Sequence, residues 1–144
     1  MLFRSKWKND PKATGWTDDS TRRHDDKKKK VGFKWDAIRF SHKVYSIFDC
    51  VRNCDSDVLF WMDADMVCHS PIRIDFISKM ASISIDIGYL GRKNKYTECG
   101  LYSLNLKSDA VQKFLKEFQR VYDDAENGIF TMREWHDKIG RAHV

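Results

Sequence analysis

The clearest periodic pattern lies in the C-terminal third. Val111, Phe114, Leu115, Phe118, Val121 and Tyr122 recur every three or four residues, the spacing that gathers side chains on one face of an α-helix. Ser108 precedes the run and is a good N-cap, since its hydroxyl can accept an otherwise unpaired N–H of the first turn. A second helix is predicted from Trp35 onward, with Trp35, Ile38, Val44, Tyr45, Phe48 and Val51 as its apolar face. RNCDSD (52–57) is turn chemistry and should end it. VLFWM (58–62) is then a short continuous apolar run. Its length and flanks predict a strand buried on both faces, the usual state of a central parallel strand. Pro71 interrupts the chain, and a short helix is expected over Ile74, Ile77 and Met80. ISIDIGYL (83–90) alternates strictly, which predicts a strand with Ile83, Ile85, Ile87 and Tyr89 on one face. GRKNKYT (91–97) reads as a basic loop, and LYSLNL (101–106) alternates again. Strands separated by helices indicate an α/β layer architecture. Residues 1–32 show no period and read as irregular.

Composition fills in the picture. The 144 residues suit one domain, and 42% hydrophobic with 13% aromatic residues supply a core. No stretch approaches the roughly 20 apolar residues of a membrane span, and MLFRSKWKND at the N-terminus lacks the apolar centre of a signal peptide. Cys50, Cys54, Cys68 and Cys99 form no CxxC pair, and with His69 they match no standard zinc spacing. Reduced thiols and a cytoplasmic location are therefore expected. Residues 1–34 carry 11 Lys and Arg against 5 Asp and Glu, whereas the remaining residues carry 15 against 16. The basic run RRHDDKKKK (22–30) could touch nucleic acid. It lacks interleaved aromatics for base stacking and is broken by aspartates, so a solvated loop is the preferred reading and nucleic acid is not an expected partner.

The distinctive chemistry follows the VLFWM run. Asp63 and Asp65 sit one residue apart at its carboxyl end, in FWMDADMV (60–67). Carboxylates that close repel unless a cation neutralises them, and ligands of open α/β sheets bind beyond the carboxyl ends of strands. Mg²⁺ or Mn²⁺ prefers oxygen ligands, and Mg²⁺ completes its shell with water and substrate phosphate. A site for a divalent cation and a diphosphate is therefore expected at Asp63 and Asp65.

VLFWMDADMVCHSPIRID (58–75) resembles the DxD segment of GT-A fold glycosyltransferases, especially the glycogenin-like enzymes of family 8 and related retaining transferases. DAIRF (36–40) is similar to the Asp-x-x-Arg-aromatic motif of such enzymes. ECGLYSLNL (98–106) occupies the place of the family's Asn-Ser-Gly strand, where Gly100 matches and Glu98 and Cys99 depart from the pattern. The resemblance covers residues 35–137. It implies a partial GT-A, Rossmann-like α/β domain with a mixed sheet flanked by helices. It also implies metal-dependent transfer of a sugar from a UDP- or GDP-sugar to an acceptor hydroxyl. In that reading Asp63, Asp36, Arg39 and Gly100 bind the donor. Asp63, Asp65 and His136, from EWHD (134–137), hold the metal. Asp137 and Glu98 are the catalytic candidates.

Two other readings stay open. DADMV (63–67) also fits the DxDx[TV] motif of haloacid dehalogenase-type phosphatases. There Asp63 would be the nucleophile and Asp65 the general acid. Lys113 and the pair Asp123 and Asp124 would be the further groups, though they fall on the strongest helical pattern. The other rival is a nucleic-acid-binding module using residues 22–34. An EF-hand is excluded, because the loop lacks its glycine and terminal glutamate. The expected organisation is a basic segment over 1–34, the central part of a GT-A domain over 35–138, and a foreign tail. IGRAHV (139–144) is what a common sequencing-adapter string encodes in one frame. No N-terminal nucleotide-binding strand is legible, so the chain is expected to be a fragment.

Overall fold

An aspartate side chain starts the first helix. The Arg39 backbone N–H donates to Asp36 Oδ1 at 3.0 Å, and the Phe40 N–H donates to the Asp36 carbonyl. Asp36 is thus the N-cap of helix α1, Ala37–Asn53. The computed structural model describes residues 23–25, 30–31, 35–91, 93, 99–133 and 135. Ahead of α1, strands β1 (Arg23–Asp25) and β2 (Lys30–Val31) pair antiparallel within the stretch expected to be irregular. Strands of two or three residues leave no readable period. After α1 come β3 (Val58–Met62), α2 (Ile74–Met80), β4 (Ile87–Tyr89), β5 (Leu101–Asn105) and α3 (Asp109–Asp123). A short 3₁₀ helix, Ile129–Thr131, follows. No described helix is long and apolar enough to cross a membrane.

The chain divides into two compact units: Met1–Asp49 with Glu117–Val144, and Cys50–Lys116. In the first unit the buried positions of α1 are Ala37, Ser41, Val44, Ile47 and Phe48. Val44 and Phe48 were expected there. Ile38 and Tyr45 are only half-buried, so the apolar stripe is rotated toward Ala37 and Ser41. Ser41 is tolerated inside because its hydroxyl donates to the Ile38 carbonyl at 2.7 Å. Four rings close a cycle of edge-to-face contacts. Tyr45 meets Phe48 at 6.0 Å and Tyr122 at 6.5 Å, and Phe118 meets Phe48 and Tyr122 at 5.7 Å each. Each such pair contributes about 0.5–1.5 kcal/mol beyond the area it buries. The Tyr45 hydroxyl donates to Asp123 Oδ1 at 2.8 Å, and Gln119 Nε2 donates to the other oxygen. Burial pushes the Tyr45 phenol well above its ordinary range, and the bond to Asp123 raises it further.

The second unit is built on a three-stranded sheet in the order β3-β5-β4. Both pairings are antiparallel, with Leu59 opposite Leu104 and Leu104 opposite Ile87. The architecture is therefore α/β with a small antiparallel sheet, where a mixed sheet was expected. The VLFWM strand is not central among the described residues: β5 is, and β3 pairs with β5 alone. Leu59 is buried, but Phe60 and Met62 are 37% and 54% exposed. A continuous apolar run cannot say which strand sits in the middle, because that depends on pairing with distant residues. The ISIDIGYL strand is likewise shorter than its alternation suggests. Only Ile87–Tyr89 is extended, and Ile83 is 80% exposed. Ser82 and Ser84 turn the chain instead, their hydroxyls 2.7 Å apart and the Ile85 N–H bonded to the Ser82 carbonyl. Asn105, buried at the end of β5, holds that turn: its Nδ2 donates to the Ile83 carbonyl and its backbone N–H to the Asp86 carbonyl. Gly88 rather than an isoleucine is the buried residue of β4, packed against the Ser103 hydroxyl and the Met80 carbonyl. Ser108 caps α3 as expected, accepting the Val111 N–H at 3.4 Å and donating to Asp86 Oδ1 at 2.6 Å.

Candidate metal and donor site

β3 and β4 both run antiparallel to β5. The carboxyl ends of β3 and β4 and the amino end of β5 therefore share one rim of the sheet. The DxD turn leaves from that rim. The Asp63 N–H donates to the Gly100 carbonyl at 2.8 Å, one step beyond the Met62–Leu101 pair, so the ladder extends to the first aspartate. The Met66 N–H then donates to the Asp63 carbonyl at 3.1 Å and closes a turn over Ala64 and Asp65. The sequence brought Asp63 and Gly100 forward separately, and the sheet register joins them.

The two carboxylates differ in surroundings. Asp63 is half-buried, and its Oδ1 accepts the Trp61 indole N–H at 2.5 Å. Asp65 is exposed at the turn. Trp61 was not a sequence candidate. Its signal was nonetheless present, since residues two apart in a strand project to the same face and an indole N–H at a rim seeks an acceptor. By the same alternation and the register, Trp61, Tyr102 and Tyr89 form a cross-strand row beside Asp63.

The donor chemistry is that of a hard cation. Two carboxylates within one turn suit Mg²⁺ or Mn²⁺, which accept few protein oxygens and keep water or phosphate in the other positions. Among the described residues no group of three or more His, Cys, Asp and Glu side chains is placed to hold a metal ion. His136, the expected third ligand, and the catalytic candidates Asp137 and Glu98 lie outside the described residues. So does most of the basic loop 91–97.

Asp36 and Arg39 lie at the start of α1, in the other compact unit. The Asp36 carboxylate is occupied in capping the helix, and Arg39 is exposed in the first turn. Their spacing in DAIRF is the N-cap to N3 spacing of a helix start, which gives the motif a structural cause independent of any ligand. The groups that a haloacid dehalogenase reading would use are also placed. Lys113 lies within α3, and the Asp123 carboxylate at its end accepts from Tyr45 and Gln119. The four cysteines are free thiols, with Cys50 and Cys68 exposed. Compared with protein-family models, with curated proteins and with solved structures, the chain has no significant match in any of the three.

Proposed function

We propose that this protein is a metal-dependent glycosyltransferase that moves a sugar from a UDP- or GDP-sugar to an acceptor hydroxyl. The observation that carries the reading is the Asp63–Asp65 turn at the carboxyl end of β3, tied through the Asp63 N–H to the carbonyl of Gly100, the residue just before β5. Asp63 and Asp65 would hold Mn²⁺ or Mg²⁺. When bound, the ion supplies positive charge against the diphosphate leaving group, where negative charge grows as the anomeric bond breaks. The chain's own contribution is to fix one of the two ligands, Asp63, before the donor arrives. The ladder bond to Gly100 sets the backbone of Asp63, and the Trp61 indole sets its carboxylate. Such fixed groups favour the transition state because little reorganisation is left to make.

The test is donor turnover with Mn²⁺ and a panel of UDP- and GDP-sugars, read as free nucleotide. Asp65→Ala should abolish the metal-dependent part, a loss of at least about 100-fold if the ion stabilises the leaving group as electrostatic groups commonly do. Unchanged turnover in Asp65→Ala would remove the metal reading. Phosphate release from a phosphomonoester, without consumption of nucleotide sugar, would favour the phosphatase reading instead.

A further inference from the structure

Among the described residues Asp63 is restrained by a backbone bond and by a side chain that no part of the DxD motif requires. Trp61 Nε1–H donates to Asp63 Oδ1 at 2.5 Å, from a half-buried indole on the same strand face. The backbone of Asp63 is separately fixed by its bond to the Gly100 carbonyl. A neutral donor on an ionised carboxylate makes a charge-assisted bond, shorter and stronger than a neutral pair. It spreads the carboxylate's charge, which eases repulsion from a second carboxylate two residues on. It also removes rotamer freedom that a metal ion would otherwise have to freeze out. Asp65, exposed at the turn, shows no comparable anchor among the described residues.

We propose that Trp61 is a positioning residue for the cation site: its indole N–H orients the Asp63 carboxylate as a ligand, with Asp65 closing on the ion from the exposed side of the turn. This rests on the metal-diphosphate reading above. Outer partners that orient a ligating group typically change metal affinity 10–100-fold when removed. The arrangement also gives the site a built-in reporter. Trp61 lies one hydrogen bond from a metal ligand, so paramagnetic Mn²⁺ bound there should quench its fluorescence.

The experiment titrates Mn²⁺ into the full chain, with free Mn²⁺ followed by electron paramagnetic resonance and tryptophan emission recorded in parallel. The probes are Mn²⁺ alone and Mn²⁺ with UDP. The expected result has four parts. Wild type binds Mn²⁺ and loses part of its emission. Trp61→Phe keeps the far-ultraviolet circular dichroism of wild type and binds about ten-fold more weakly. Trp61→His, which retains a ring N–H, recovers part of that loss. The quenched component is absent from both variants. If Asp65→Ala abolishes Mn²⁺ binding while Trp61→Phe binds as wild type does, the positioning role is overturned and the metal site stands. If wild type binds no Mn²⁺ with or without UDP, the metal reading fails and the role of Trp61 fails with it. Should Trp61→Phe not fold, Trp61→His carries the comparison alone: emission quenching in wild type remote from saturation of the site would then refute the assignment.

Discussion

Variants at Asp36 separate a ligand-binding role from a folding role. Its Oδ1 accepts the Arg39 N–H at 3.0 Å, and its own carbonyl accepts the first intrahelical bond from Phe40 at 3.3 Å. Replacing it with alanine leaves the N3 donor of α1 without a side-chain acceptor, at a cost of about 1 kcal/mol, within a range of roughly 0.5–2. Asparagine keeps an acceptor oxygen in the same place and loses only the favourable charge at the helix N-terminus, about 0.3–1 kcal/mol at an exposed position. For a chain of this length about 1 kcal/mol corresponds to a melting shift of about 2–4 °C. Urea denaturation of wild type, Asp36→Ala and Asp36→Asn should therefore give midpoints in the order wild type, Asn, Ala, with unchanged slopes. Donor affinity, measured on the same samples by calorimetry, tests the other role. If Asp36 only caps α1, Asp36→Asn binds a nucleotide sugar as wild type does. Equal midpoints for wild type and Asp36→Ala would refute the capping argument. Asn and Ala equally low would mean that the charge, not the acceptor, is what matters.

Gly88→Ala should cost at least 2 kcal/mol, near the upper end of the ~1–3 kcal/mol for overpacking a core, because the added methyl would sit 2.7 Å from the Met80 carbonyl oxygen, and that backbone cannot step aside. Chemical denaturation checks this, and a loss below about 0.5 kcal/mol, the usual size for an unconstrained surface change, would show that β4 and α2 are not packed as described. Tyr45→Phe removes the bond to Asp123 and should lower stability near neutral pH by about 1 kcal/mol. Its pH dependence has a fixed sign: the folded state raises the phenol above its unfolded value of about 10, so its contribution is complete below pH ~10 and fades as pH rises above it. Wild-type stability should thus fall more steeply than that of Tyr45→Phe above pH ~10, and parallel curves in urea titrations from pH 7 to 11.5 would contradict the assignment.

Local pattern made much of this fold legible. The six apolar positions of α3 and its Ser108 cap need only residues within one helix, and the structure keeps five of the six buried. The extents of α1, Ala37–Asn53, and of the strand VLFWM follow from equally local signals. The Asp63–Asp65 pair was visible as two charges closing an apolar run. What the sequence could not rank were its strands. VLFWM looked the most buried and proved to lie beside β5 with Phe60 exposed, while LYSLNL supplied the sheet's middle. The alternation of ISIDIGYL was real but yielded to hydroxyls of Ser82 and Ser84 and to Asn105, which arrives from more than twenty residues away.

By itself, then, the chain of residues determined where helices start, where carboxylates gather and which segments are apolar, because those depend on neighbours a few positions apart. Tertiary structure alone decided that Asp63 hangs from Gly100 and that β5 is the central strand. These outcomes turn on backbone hydrogen bonds between distant segments and on which acceptor lies nearest a donor. Neither is written in the spacing of side chains along the chain.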